Sequence, residues 1–170
     1  MSDASEFSNA GILWPPRYAP DRVPVHVSNQ RSILATPELV WSWLIRAPLW
    51  PTWYANSRHV RAADGGPMGD LALGTDFRWE TFGVAIKSRV LEFVPNERIA
   101  WDAKGFGVDA YHAWLLRPEG EGCHVLTEES QHGLGAKLMN FIFPHRMYDG
   151  HDLWLRSLEI KCRSGRPPEI

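Results

Sequence analysis

The amino-acid sequence predicts an α+β domain, a curved antiparallel sheet wrapped around a long C-terminal helix, with two short helices after the first strand. Three observations carry this prediction. Residues 74–133 divide into strand-like runs at turn-forming positions: Phe82-Gly83, Pro95-Asn96, residues 104–107 and residues 119–122. Residues opposed across those turns sort onto one apolar, Trp-rich face and one charged face. After Gly133 the apolar spacing lengthens from two residues to three or four, as in a helix.

Taken in order, residues 1–22 combine Ser, Asn, Gly and Pro and read as an irregular arm. Ile12, Leu13 and Trp14 give that arm an apolar patch, to be buried against its own body or a second subunit. The body is expected over residues 23–164, and residues 165–170, rich in Pro and Gly, end it as a frayed tail. Residues 25–34 form the first strand. Thr36 then suits a helix N-cap, Pro37 the first helical position and Glu38 the positive end of the helix dipole. Leu39, Val40, Trp43 and Leu44 share one side of that helix. Ala47-Pro48 ends it, and residues 49–54 read as a second short helix. Residues 57–63 are a strand and 64–69 a loop.

The meander follows. Strands this close in sequence pair antiparallel, because a parallel crossover needs a long connection. The Phe82-Gly83 turn sets Thr81 against Val84 and Trp79 against Ile86. Turning at Pro95-Asn96 sets Val90 against Trp101. Residues 104–107 set Trp101 against Ala110 and Ile99 against His112. The last loop sets Leu116 against Val125, Trp114 against Thr127 and His112 against Glu129. One face then carries Phe77, Trp79, Ser88, Glu92, Trp101, His112, Trp114, Thr127 and Glu129. A one-residue slip at any turn would scramble this sorting. Beyond it, Phe141, Met147, Tyr148, His151, Trp154, Leu155, Leu158 and Cys162 recur at helical steps, with Pro144 kinking or delaying the helix and Gly150 weakening it. This helix is the element long enough to cover the apolar face.

Composition narrows the function. A chain of 170 residues is one domain with room for a substantial core. Nine Trp call for a heavily aromatic core or an aromatic-lined cavity. A net charge of -2 speaks against a nucleic-acid or anionic-membrane surface. Cys123 and Cys162 form neither a metal motif nor a disulfide framework. The polar N-terminus is unlike a signal peptide, and no run is long enough to span a membrane, so a cytoplasmic location is expected.

The segments ILATPELVWSWLIRAPLWPTWY, GTDFRWETFG, VPNERIAW and HAWLLRPEGEGCHVLTEESQHG resemble the START-domain-like helix-grip superfamily (SRPBCC), in its polyketide cyclase/dehydrase and lipid-transport branch. The resemblance covers residues 25–162 and departs at Gly122-Cys123-His124-Val125, where the branch usually has Gly-Thr before Arg-Val. It implies a hydrophobic or aromatic small molecule held between sheet and helix. Members include cyclases, dehydratases and related lyases, and also carriers, receptors and chaperone activators.

Candidate chemistry centres on His112 and Glu129, placed opposite each other on the apolar face. A carboxylate beside an imidazole fixes its tautomer and favours its charged form, so the pair can serve as general base and then acid. The alternative is that each simply satisfies the other. Tyr148 and His151 come from the facing helix, as pocket contacts or as edge residues. Phe77, Trp79, Trp101, Trp114 and Phe141 are candidate aromatic walls, with Ser88 and Thr127 adding hydrogen bonds. No metal is expected, since no His pair has i, i+4 spacing. No cofactor is expected either, because the glycine-rich loop GGPMGDLALG lacks the Lys of a phosphate loop. The expected partner is a hydrophobic or aromatic small molecule, bound by a monomer or homodimer.

Overall fold

The computed structural model describes residues 11–169. After two 3-10 turns (Pro16–Tyr18 and Pro20–Arg22), the elements, in chain order, are β1 (Val25–Ile33), α1 (Pro37–Leu44), a 3-10 helix (Ala47–Thr52), β2 (Ser57–Ala62), β3 (Asp76–Thr81), β4 (Val84–Val94), β5 (Arg98–Gly105), β6 (Val108–Glu119), β7 (Gly122–His132), α2 (Leu134–Ile142) and α3 (Arg146–Arg163). The strands form one seven-stranded antiparallel sheet in the order β1-β7-β6-β5-β4-β3-β2. The first strand thus closes against the last, with Val27 opposite Glu129.

Local chemistry sets the short elements. The Thr36 hydroxyl caps α1 by accepting from the Leu39 N–H at 3.4 Å. The second short helix is a 3-10 turn rather than an α-helix, and Pro51 inside it has no N–H with which to continue an α ladder.

Register follows the turns, with two corrections. Thr81–Val84, Trp79–Ile86, Val90–Trp101 and His112–Glu129 are opposed as the sequence predicts. The β5–β6 turn is tighter than expected, a two-residue turn at Phe106-Gly107, with Gly107 at φ 71. Trp101 therefore faces His112, and Ile99 faces Trp114, rather than Ala110 and His112. The discrepancy is an even number of residues, so every side chain keeps its face. A bulge between Val90 and Glu92 is the second correction. It turns Glu92 off the inner face, where it accepts a 2.7 Å hydrogen bond from Arg98 Nε.

Pro144 divides the C-terminal helical region into α2 and α3. The longer piece, α3, lies against the inner face and buries Gly150, His151, Trp154, Leu155, Leu158 and Cys162. Two contacts fix it to β1: Asn29 Nδ2 donates to the Tyr148 carbonyl at 3.1 Å, and Arg31 Nε donates to Glu159 Oε2 at 2.6 Å. Between sheet and helix, Trp50 forms a hub, its ring centroid 5.2–6.0 Å from those of Phe77, Trp79, Trp101 and Trp154.

The outer face is not uniformly charged. Ala100, Tyr111 and Ala113 make a second small core with Tyr18, under Ile12 and Trp14. Asp109 holds this segment by an ion pair with Arg17 and a 2.6 Å hydrogen bond from the Tyr18 hydroxyl. Among the described residues, no helix is long and apolar enough to cross a membrane.

Candidate functional site

A cavity of about 130 Å³ opens between the sheet and the α2–α3 elbow. Its walls are Trp79, Ile86 and Ala103 from the sheet, with Tyr54 and Trp154 stacked 4.3 Å apart at 11°. Phe82, Met139, Phe143, Arg146 and Met147 surround the mouth. Besides Thr81, Asn140 and Arg146, the polar lining is a cluster of His112, Glu129, Gln131 and His151.

The sheet register brings that group together. His112 on β6 is opposite Glu129 on β7, and Gln131, two residues on, points to the same side. His151 arrives from the facing helix. Glu129 Oε1 accepts from Gln131 Nε2 at 2.6 Å, and Glu129 Oε2 accepts from His151 Nε2 at 3.1 Å. His112 Nδ1 lies 3.4 Å from the same Oε2. A carboxylate offers only lone pairs, so Nδ1 carries the His112 proton and Nε2 accepts from the Thr127 hydroxyl, 2.7 Å away. His112 also has Trp101 at 5.1 Å and Trp114 at 5.5 Å between ring centroids.

These surroundings set the protonation states. Burial disfavours the imidazolium of His112 and outweighs the pull of Glu129, bringing its pKa down to about 3. Burial opposes ionisation of Glu129 too, but His112, His151 and Gln131 together outweigh it and hold its pKa at about 2. At neutral pH Glu129 is thus ionised and the His112 beside it is neutral. The thiols stay protonated there, because burial pushes Cys123 up to about 11 and Cys162 up to about 12.

The predicted site residues separate into those that meet the cavity and those that do not. His112, Glu129, Trp79 and His151 line it. Thr127 stands behind His112, and Ser88 accepts the Trp79 indole N–H at 3.1 Å. Phe77, Trp101 and Trp114 belong to the filled core, at most 1% exposed. Phe141 is 84% exposed and Tyr148 52%, so neither forms the wall opposite the sheet. Gln131, Phe82 and Arg146 were missed. Alternation from Thr127 through Glu129 points to Gln131, but no local signal marks the other two.

His112, Glu129 and His151 could also offer a metal ion two imidazoles and a carboxylate, with donor atoms within 4.8 Å of one another. The two rings stack with centroids 4.8 Å apart and planes 10° apart. An imidazole binds a metal in its own plane, and nearly parallel planes share no such point. One ring would have to turn for both to bind one ion.

The family model for polyketide cyclase / dehydrase and lipid transport matches residues 24–139. Among solved structures, a hypothetical protein from Helicobacter pylori is 29% identical, with a TM-score of 0.82 over 90% of this chain and 96% of its own. A protein from Thermus thermophilus is 18% identical, with a TM-score of 0.68 over 82% of this chain and 98% of its own. A START superfamily protein from Mycobacterium smegmatis is 15% identical, with a TM-score of 0.61 over 82% and 97%. The latter two likenesses are of fold alone. No curated protein matches the chain.

Proposed function

The chain belongs to the polyketide cyclase/dehydrase and lipid-transport family, and from that premise we propose that it binds a hydrophobic, aromatic small molecule in the cavity and performs cofactor-free acid/base chemistry on it, of the cyclase, dehydratase or lyase type. One observation carries the reading: three polar side chains of a largely apolar pocket, His112, Gln131 and His151, converge on its one carboxylate, Glu129. Glu129 accepts a proton from an acidic C–H or O–H of the ligand, and the N–H groups of His112, His151 and Gln131 keep the carboxylate aimed. The same proton then returns to the rearranged or departing group, so the protein ends unchanged.

A second reading, a non-catalytic carrier or sensor, has its own support. A carboxylate with a pKa near 2 is a weak base, far from the optimum for proton transfer at neutral pH. The test is native mass spectrometry of the purified protein, followed by metabolite capture and turnover with wild type, His112→Ala and Glu129→Gln, their folds checked by circular dichroism. Conversion by wild type, with the variants binding but not converting, supports catalysis. Equal binding with no conversion by any of them supports carriage. Failure to bind any hydrophobic molecule overturns both.

A further inference from the structure

We propose that the ligand is a phenol of one aromatic ring bearing an anionic substituent, with its hydroxyl inside on Glu129 and its anion outside on Arg146. This rests on the reading that the cavity binds a small molecule, and it names the class. Size comes first. The space is about 130 Å³, and a protein cavity of roughly 150 Å³ is filled by benzene. Deeper entry is blocked, because Trp50, Trp101 and Trp114 fill the interior and are at most 1% exposed. One ring fits, and a fused second ring does not.

Polarity at the two ends then orients the ring. At the inner end Glu129 Oε1 accepts from Gln131 alone, although a carboxylate oxygen can take two donors. A ligand group there must donate, as a hydroxyl does. A carboxylate in that place would set negative charge against negative charge in an apolar pocket. The mouth has the opposite sign. Arg146 lies over the rings of Phe82 and Phe143, at 5.6 and 5.8 Å, and donates to the Phe82 carbonyl at 3.0 Å. Those are its partners among the described residues, which leaves guanidinium donors for an anion projecting from the pocket.

The experiment is calorimetric titration of the full chain with 4-hydroxybenzoate, phenol, benzoate and 6-hydroxy-2-naphthoate. We expect 4-hydroxybenzoate to bind tightest, phenol and benzoate each about tenfold weaker, and the naphthoate not measurably. Arg146→Gln, at an exposed position, should bring 4-hydroxybenzoate to the level of phenol and leave phenol unchanged. Equal or better binding of the naphthoate overturns the size argument. Benzoate equal to 4-hydroxybenzoate overturns the inner hydroxyl, and an unchanged preference in Arg146→Gln overturns the anion. If all four probes fail while a fatty acid or multi-ring aromatic binds, this inference is wrong and the pocket reading survives. If those larger ligands fail too, the pocket reading falls with it.

Discussion

The imidazoles of His112 and His151 lie face to face, 4.8 Å apart at 10°, and both approach the same oxygen of Glu129. Two imidazolium rings so stacked would repel each other in a buried site. Burial keeps the His112 ring neutral, so Glu129 meets an uncharged imidazole on that side.

Acid should therefore loosen the fold. His112 has a folded pKa of about 3 against an ordinary 6.5, so the unfolded chain takes up this proton first. Its effect favours folding fully above pH 6.5 and is lost as pH falls toward 3. Glu129, at about 2 against 4.5, acts in the same direction, and its share is lost between pH 4.5 and 2. Each differential proton changes stability by about 1.4 kcal/mol per pH unit. Denaturant titrations at pH 7.5, 6, 5 and 4 should show a steady fall that begins near pH 6.5. The His112→Gln variant should fall less steeply over this range, keeping only the share of groups such as His26, whose pKa burial also lowers. A flat wild-type profile over that range would remove the neutral-His112 assignment.

Removing one donor from the carboxylate should also be measurable. His151→Leu keeps an apolar side chain on α3 but takes away the N–H that Glu129 Oε2 accepts at 3.1 Å. A buried charged acceptor that loses a partner costs about 1–3 kcal/mol. The Glu129 pKa should rise at the same time, read by NMR of a carboxyl-labelled sample. A variant as stable as wild type, with an unmoved Glu129, would mean that His151 is only packing there.

Phe82 and Gly150 offer a test of the pocket mouth. Phe82 takes φ 51 in the β3–β4 turn, a conformation costly for a bulky residue. Its ring is packed on α3 where a Cβ at Gly150 would overlap it. Gly150→Ala alone should fail to deliver the usual helix gain of about 1 kcal/mol. Made in a Phe82→Ala background, the same change should deliver it. Denaturation of the four proteins of this cycle reads the coupling, and additive effects would show that Phe82 does not rest on Gly150 in solution.

These sites differ in how far the sequence reveals them. His112 and Glu129 are paired by a short loop, and strand period then fixes their common face, so local chemistry suffices. Trp101 and Trp114 are on the predicted face, but the pattern says nothing of depth. They enclose His112 from the core side instead of facing the cavity. Phe141 and Tyr148 mislead for another reason. Pro144 separates α2 from α3, so counting helical steps across it has no geometric meaning. Phe82 and Arg146 meet at the mouth only because a turn between two strands comes beside the start of a distant helix, which no local spacing encodes.

Trp50 is the residue whose loss should cost the most. It lies in a short 3-10 turn with weak structure of its own, yet its ring meets Phe77, Trp79, Trp101 and Trp154. Its indole N–H donates to the Leu44 carbonyl at 3.0 Å, tying the turn to α1. Trp50→Ala removes that bond and leaves a void among four aromatic side chains that cannot collapse without moving both sheet and helix. The expected loss is about 3–5 kcal/mol, a large share of the stability of a domain this size. Trp50→Phe fills part of the void and should cost less. Because Trp50 backs the cavity rather than lining it, Trp50→Phe should also relax the size limit and admit a two-ring probe that wild type rejects. Measuring stability by denaturant and 6-hydroxy-2-naphthoate binding by calorimetry on the same variant separates the two roles. Unchanged exclusion of the naphthoate would show that something other than this Trp hub closes the inner end.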